Sequence, residues 1–202
     1  MKLGEIKIEA LKLMFAVGSE DLRAEDIGDI YDNEQYSDYL LMMTGAINRC
    51  FSVLEEKRVL PVKSFALGEG GRYELNTLIP DFFDVERIVY EGGGEYVGSC
   101  EYYREGDTVI IKDYEPRGEY RILYKPTLER IVSSSDNSVE LSIPDRIACH
   151  IPYFIKSELF RVDEPDEAGE ARNLFEAAMD QISKSESGKQ SRTEHSYSAY
   201  GV

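Results

Sequence analysis

The sequence predicts an α+β protein: a four-helix bundle-like domain with an inserted antiparallel β-rich module, sheet or small barrel, and a disordered C-terminal tail. Three observations carry that expectation. Apolar residues recur in steps of three and four before residue 60 and again after Pro144, as on the buried stripe of a helix. Between Pro61 and Lys125 the pattern turns to short β-rich runs parted by glycine-containing connections. After Lys184 no apolar period remains. The expected boundaries are a helical domain over 1–60 and 126–184, a β module over 61–125 and a tail over 185–202.

Leu3, Ile6, Ala10, Leu13 and Val17 fall on one stripe and define the first helix. From Gly18 to Ser37 the text is acidic, with Ile27, Ile30 and Tyr31 as anchors, and reads as a loop with room for a helical turn. Ser37 or Asp38 is the expected cap of a second helix reaching about Lys57, with Leu40, Met43, Ile47, Cys50 or Phe51, and Leu54 on its buried face. Two amphipathic helices this close in sequence are expected to pack together.

In the β module, "VKSFAL", "RYELN", "VERIVY", "EYVGSCEYY", "DTVIIK" and "EYRILY" read as strands, and "GEGG", "EGGG", "REGD" and "EPRG" as turns. "TVIIK" is apolar on both faces and is expected inside a sheet, whereas the charges of "EYRILYK" place it nearer an edge. Pro126 then removes a backbone donor and stops the strand. Pro144 and Asp145 suit the start of a third long helix with Ile147, Ile151, Phe154 or Ile155, and Leu159 buried. Pro152 should bend or shorten that helix. A fourth helix follows Pro165, with Ala168, Ala171, Phe175, Ala178 and Ile182 on one face.

The charge balance narrows the function. With 23 basic against 39 acidic residues the net charge is −16, which repels phosphate backbones and anionic lipid surfaces. No apolar run has the length of a bilayer span, and Glu5, Lys7, Glu9 and Lys12 break up the N-terminal segment, so no signal peptide is expected and synthesis in the cytosol is. Cys50, Cys100 and Cys149 are odd in number and far apart, which predicts free buried thiols.

Catalytic patterns are weak. Cys149 and His150 are adjacent, so on a helix they point about 100° apart and make a poor nucleophile and base. His195 lies in the tail. "GEGGRYEL" and "EGGGEY" lack the helix start and lysine of a phosphate loop and read as turns. "DEPDE" lacks the spacing and glycine of a calcium loop and suits a helix N-terminus. Tyr96, Tyr102, Tyr103 and Tyr114 lie in or beside strands without a basic groove, so packing is their default role. No catalytic residue, cofactor or metal is expected.

The order of "LIPDFFDVERIVYEG", further strands and "EYRILYKPTLERIVSSSDNSVELSIPDRIACHIPYFIKSELFRVDEPDEAGEARNLFEAAMDQI" resembles the head-to-tail adaptor proteins of tailed bacteriophages, the tail tubular protein A-like family. The likeness covers residues 36–184 and is strongest from Tyr120 to Met179. The chain departs from that pattern at Pro152 and in the length of its acidic segment from Ser19 to Gln35. The resemblance implies a non-enzymatic virion or prophage structural protein, assembled in the bacterial host cytoplasm. Such a protein forms a ring of about a dozen copies below the portal protein. The ring extends the DNA channel, lets DNA pass without specific binding, receives a tail or nozzle protein and makes no membrane contact. It also implies a C-terminal segment that reaches the portal, which places Arg192, Tyr197 and Tyr200 as the expected portal contacts. Two other classes stay open from the residues alone. One is a carbohydrate-active or metal-dependent enzyme using a carboxylate pair; the other is an acidic DNA mimic.

Overall fold

The computed structural model describes residues 1–16, 22–23, 27–92, 95–112, 119–133 and 135–197, with side chains described outside 91–99 and 186–197. In chain order the elements are α1 (Leu3–Phe15), α2 (Ile27–Tyr31), α3 (Ser37–Glu56), β1 (Lys63–Gly68), β2 (Gly71–Glu74), α4 (Leu75–Leu78), β3 (Phe82–Gly92), β4 (Glu95–Ser99), β5 (Tyr102–Glu105), β6 (Thr108–Ile111), β7 (Glu119–Pro126), α5 (Asp145–Ala148), α6 (Ile151–Leu159) and α7 (Pro165–Tyr197). Mixed helix and antiparallel sheet is the outcome. The chain divides into a helical unit, Met1–Val59 with Arg130–Val202, and a β unit, Leu60–Glu129.

In the helical unit α6 packs against α1, α3 and α7. Ile151, Phe154 and Ile155 form its buried stripe, and Pro152 and Ser157 are buried as well, so burial extends to more than one side of this short helix. The third long helix expected from Pro144 is in fact two, α5 and α6, parted at Cys149 and His150. Pro152 explains the break. It lies in the first turn of α6, where a missing backbone N–H leaves no bond unmade.

At the start of α1 the amides of Leu3 and Gly4 donate to the carbonyls of Val139 and Asn137 at 2.9 and 2.8 Å. A side chain at Gly4 would meet that Asn137 oxygen at 3.1 Å, so the close approach depends on glycine. Burial on α1 is wider than one stripe and includes Ile8, Leu11 and Met14, while Leu13 is half-buried; Val17 lies outside the described residues.

Neither Ser37 nor Asp38 caps α3 with its side chain. Instead the amides of Tyr36 and Ser37 both donate to the Asn33 carbonyl, a backbone turn that runs straight into the helix. The buried face of α3 holds both Cys50 and Phe51 along with the expected Leu40, Met43, Ile47 and Leu54.

On α7, Ala168, Ala171, Phe175 and Met179 are buried, and Ala178 and Ile182 are half-buried. The helix continues to Tyr197, past the point near Lys184 where a disordered tail was expected. Glu186, Lys189, Gln190 and Arg192 are good helix formers and no proline interrupts them, so backbone bonding carries on without an apolar face.

The β unit holds two antiparallel sheets, of strand order β1-β7-β3-β4 and β2-β6-β5. β6 is central, as its apolar sequence predicts. β7 overturns its expectation: it is an inner strand, flanked by β1 and β3. Tyr120, Ile122 and Tyr124 fill the core, and the charge of Lys125 is accommodated by donation from Nζ to the Leu60 carbonyl at 2.8 Å. Pro126 still pairs with Phe82, and the next amide, Thr127, donates to the Asp81 carbonyl at 2.7 Å before the strand is left.

"EYVGSCEYY" is divided between β4 and β5, which belong to different sheets, and the end of "RYELN" is helical in α4. Of the four glycine connections, "EGGG" and "REGD" join paired neighbours, with Gly106 at φ +62 in the second. "GEGG" instead passes from one sheet to the other, and the residues of "EPRG" lie outside the described residues. Both sheets and α4 share one core that includes Leu75, Ile88, Val109 and Ile122.

Candidate assembly surfaces

The chain leaves the helical unit after α3 and rejoins it at Arg130, and the residues at both points are fixed to the last turns of that helix. Val59 donates to the Leu54 carbonyl and Arg58 to the Glu55 carbonyl, at 3.3 and 2.9 Å, which closes α3 with Arg58 at φ +55. On the returning segment Arg130 grips the buried Glu55 carboxylate with two N–H groups, at 2.9 and 2.6 Å. Asn48 then reads the backbone of Ile131 in both directions, donating to its oxygen at 2.8 Å and accepting from its amide at 3.0 Å.

Several large apolar side chains face water. In the helical unit these are Leu41 and Met42 on α3, at 63% and 49% exposure, Leu174 on α7 at 57%, and Val132, Val139 and Val162 in connections. Leu174 borders an open groove of about 590 Å³ with Ala177, Ala178, Asp180, Gln181 and Lys184. In the β unit Leu78, Phe83 and Tyr103 are exposed, and the Lys112 ammonium stands 4.5 Å from the Tyr103 ring. The helix-stripe reading passed over Leu41, Met42 and Leu174. Their signal was available as apolar residues lying off the buried stripe of an amphipathic helix.

The residues weighed for chemistry do not converge. The thiol of Cys149 donates to the Arg146 carbonyl at 3.7 Å, and burial raises its pKa and lowers that of the half-buried His150. Only Cys50 is fully buried, Cys100 being half-buried and Cys149 exposed, which corrects the expectation of three buried thiols. Among the described residues no three His, Cys, Asp or Glu side chains come together as a metal site would require. "GEGG" leads into strand β2, with Gly68 at φ +80, and so serves a turn. Tyr102 packs against the β core, while Tyr114 and the side chain of Tyr96 lie outside the described residues.

Asp81 is bonded to two strands of the β unit. Burial alone would raise its pKa, but hydrogen bonds from Lys63 at 2.5 Å and the Tyr124 hydroxyl at 2.9 Å bring it below the ordinary value. Burial and the Asp81 bond push Tyr124 up to about 12. The group ties β1, β7 and the turn before β3 together.

Of the residues expected to contact a portal, Arg192 and Tyr197 belong to the last turns of α7, where side chains are outside the description, and Tyr200 lies outside the described residues. Among the described residues no helix is long and apolar enough to cross a membrane. Comparison of the chain with protein-family models and with curated proteins returns no match.

Proposed function

We propose that this chain is a head-to-tail adaptor, a non-enzymatic virion or prophage component. It forms a ring on a portal protein, extends the DNA channel and receives a tail or nozzle protein. The observation that carries the reading is the split helical unit: both halves of the sequence build it, and residues 60–129 leave and return at one end of α3. That is the plan of a helical bundle bearing a β-rich insertion, and it favours the bundle reading of α1, α3, α6 and α7. Apolar side chains on the outer faces of α3 and α7 provide contact area of the kind an oligomer uses. The net charge of −16 suits a wall along which DNA slides without sticking.

In this reading the C-terminal stretch docks on the portal through Arg192, Tyr197 and Tyr200. Negative-stain microscopy of the protein mixed with the portal of the same genome is expected to show rings capping the portal. Deleting residues 185–202 should leave the circular dichroism of the rest of the chain intact and abolish capture by the portal in a pull-down. Equal capture with and without those residues would remove them from the interface.

A further inference from the structure

We propose that copies of this chain join head to tail, the outer face of α3 on one copy seating against the outer face of α7 on the next. The inference rests on the ring reading above for the direction of the contact, and on the two faces for the contact itself.

On α3 the exposed stripe is Asp38, Leu41, Met42, Gly45 and Arg49, all within one side of the helix at 100° per residue. It presents two bulky apolar side chains between an acid toward the N-terminus and a base toward the C-terminus. Arg49 donates through Nε to Glu158 at 2.8 Å, yet its side chain is 57% exposed, and a guanidinium nitrogen lies beside Gly45. On α7 the exposed stripe is Glu170, Leu174, Ala177, Gln181 and Lys184, with the half-buried Ala178 beside it. Here the centre is small, Ala177 and Ala178 lining the groove beside Leu174; Asp180 lines it too but is paired with Lys57 at 3.6 Å, and along the stripe the acid again precedes and the base follows.

Laid antiparallel, the two stripes match in charge and in size. Asp38 faces Lys184, Arg49 faces Glu170, and Leu41 and Met42 enter the alanine groove. Asp38 and Arg49 are about 16 Å apart along their axis and Glu170 and Lys184 about 21 Å, at 1.5 Å per residue. The difference is absorbed because a lysine side chain leans toward its helix N-terminus and has several ångströms of reach.

Alternative self-pairings fit less well. Two α3 faces would set the bulky pairs of both copies near one another, and two α7 faces would oppose alanine with alanine and leave the groove empty. A contact between two different faces cannot close on two copies. It continues to a third, and so produces a ring or a filament.

The test uses the full chain with Cys149→Ser to remove the exposed thiol. One preparation carries Met42→Cys and a second Ala177→Cys, and they are treated with a short bis-maleimide singly and mixed. Roughly tenfold more cross-linked dimer is expected in the mixture than in either alone, and a ladder of higher species from a chain carrying both cysteines. Lys184→Asp in the Ala177→Cys chain should abolish the excess, and Asp38→Lys in the Met42→Cys chain should restore it.

Equal cross-linking of Met42→Cys with itself, no excess in the mixture, or loss without restoration would each overturn the proposed pairing. Rings on a portal without the cross-link would overturn this interface and spare the adaptor. A cross-linked ladder with no affinity for the portal would do the reverse.

Discussion

Lys7 is 2% exposed in the middle of α1, and its ammonium donates to the Tyr31 hydroxyl and to Asn137 Oδ1, both at 2.9 Å. Both acceptors are neutral, so the group works as a three-way hydrogen-bonding clasp between α1, α2 and the turn at 137. Lys7→Ala should cost about 2–3 kcal/mol, because it opens a cavity and leaves two partly buried acceptors without their donor. Urea unfolding followed by far-ultraviolet circular dichroism would measure it.

Asp81 makes a different statement, about acid. Its pKa is lowered from 3.8 in the folded chain, so the stability it supplies is complete above that value and is lost as pH falls through the lowered one. Asp81→Asn should therefore destabilise the β unit by a constant amount above about pH 5, and the gap from the parent should narrow below the ordinary carboxylate value. Thermal melts between pH 2 and 7 would show a parallel offset instead if the carboxylate were not involved. Neither residue's role was legible in the sequence, because both depend on partners far away along the chain.

At the scale of elements, α3 carries the most consequence, since it buries a full stripe and also fixes the returning chain. Arg130→Ala leaves the 5%-exposed Glu55 without its bidentate partner, and a loss of roughly 2–3 kcal/mol is expected, given that Arg130 itself is partly solvated. Chemical denaturation of the variant checks this, and Glu55→Gln in the same background should recover part of the loss. Period-based reading located α1, α3 and α7 because their stripes are long and regular.

That reading failed where one local rule met a tertiary exception. Pro152 is expected to bend or shorten the third helix, and shortening is the outcome; its place in the first turn of α6 is not legible, since a first-turn proline and an interior one look alike until the preceding break is known. The charges of "EYRILYK" pointed to an edge, but the Leu60 carbonyl that takes up Lys125 lies 65 residues away and lets β7 run inside the sheet. "EYVGSCEYY" reads as one strand because its β-rich composition is continuous, although the chain changes sheets at Cys100 and Glu101. For the candidate surfaces, the apolar residues off the buried stripes were visible in the sequence, and their pairing required knowing which side of each helix α6 covers.

For the whole molecule, the positions of Val59 and Arg130 mean that residues 60–129 can be exchanged for a short connection. Replacing them with about four Gly and Ser residues should leave a helical unit that unfolds cooperatively, with a fall in β signal and no exposure of Phe51, Phe154 or Phe175 to quenchers. A collapsed but non-cooperative product would show that the helical unit draws on the insertion for its stability. The same clasp at the end of α3 has a consequence in time. Closing a flexible loop of about 70 residues costs roughly 2.5 kcal/mol more than closing one of about 4, by the logarithmic dependence of chain entropy on length. A β unit that has already folded presents itself to α3 as the shorter loop. Insertion first, helices second is then the faster order of folding, and a lesion in the sheets would delay the bundle without touching any residue in it.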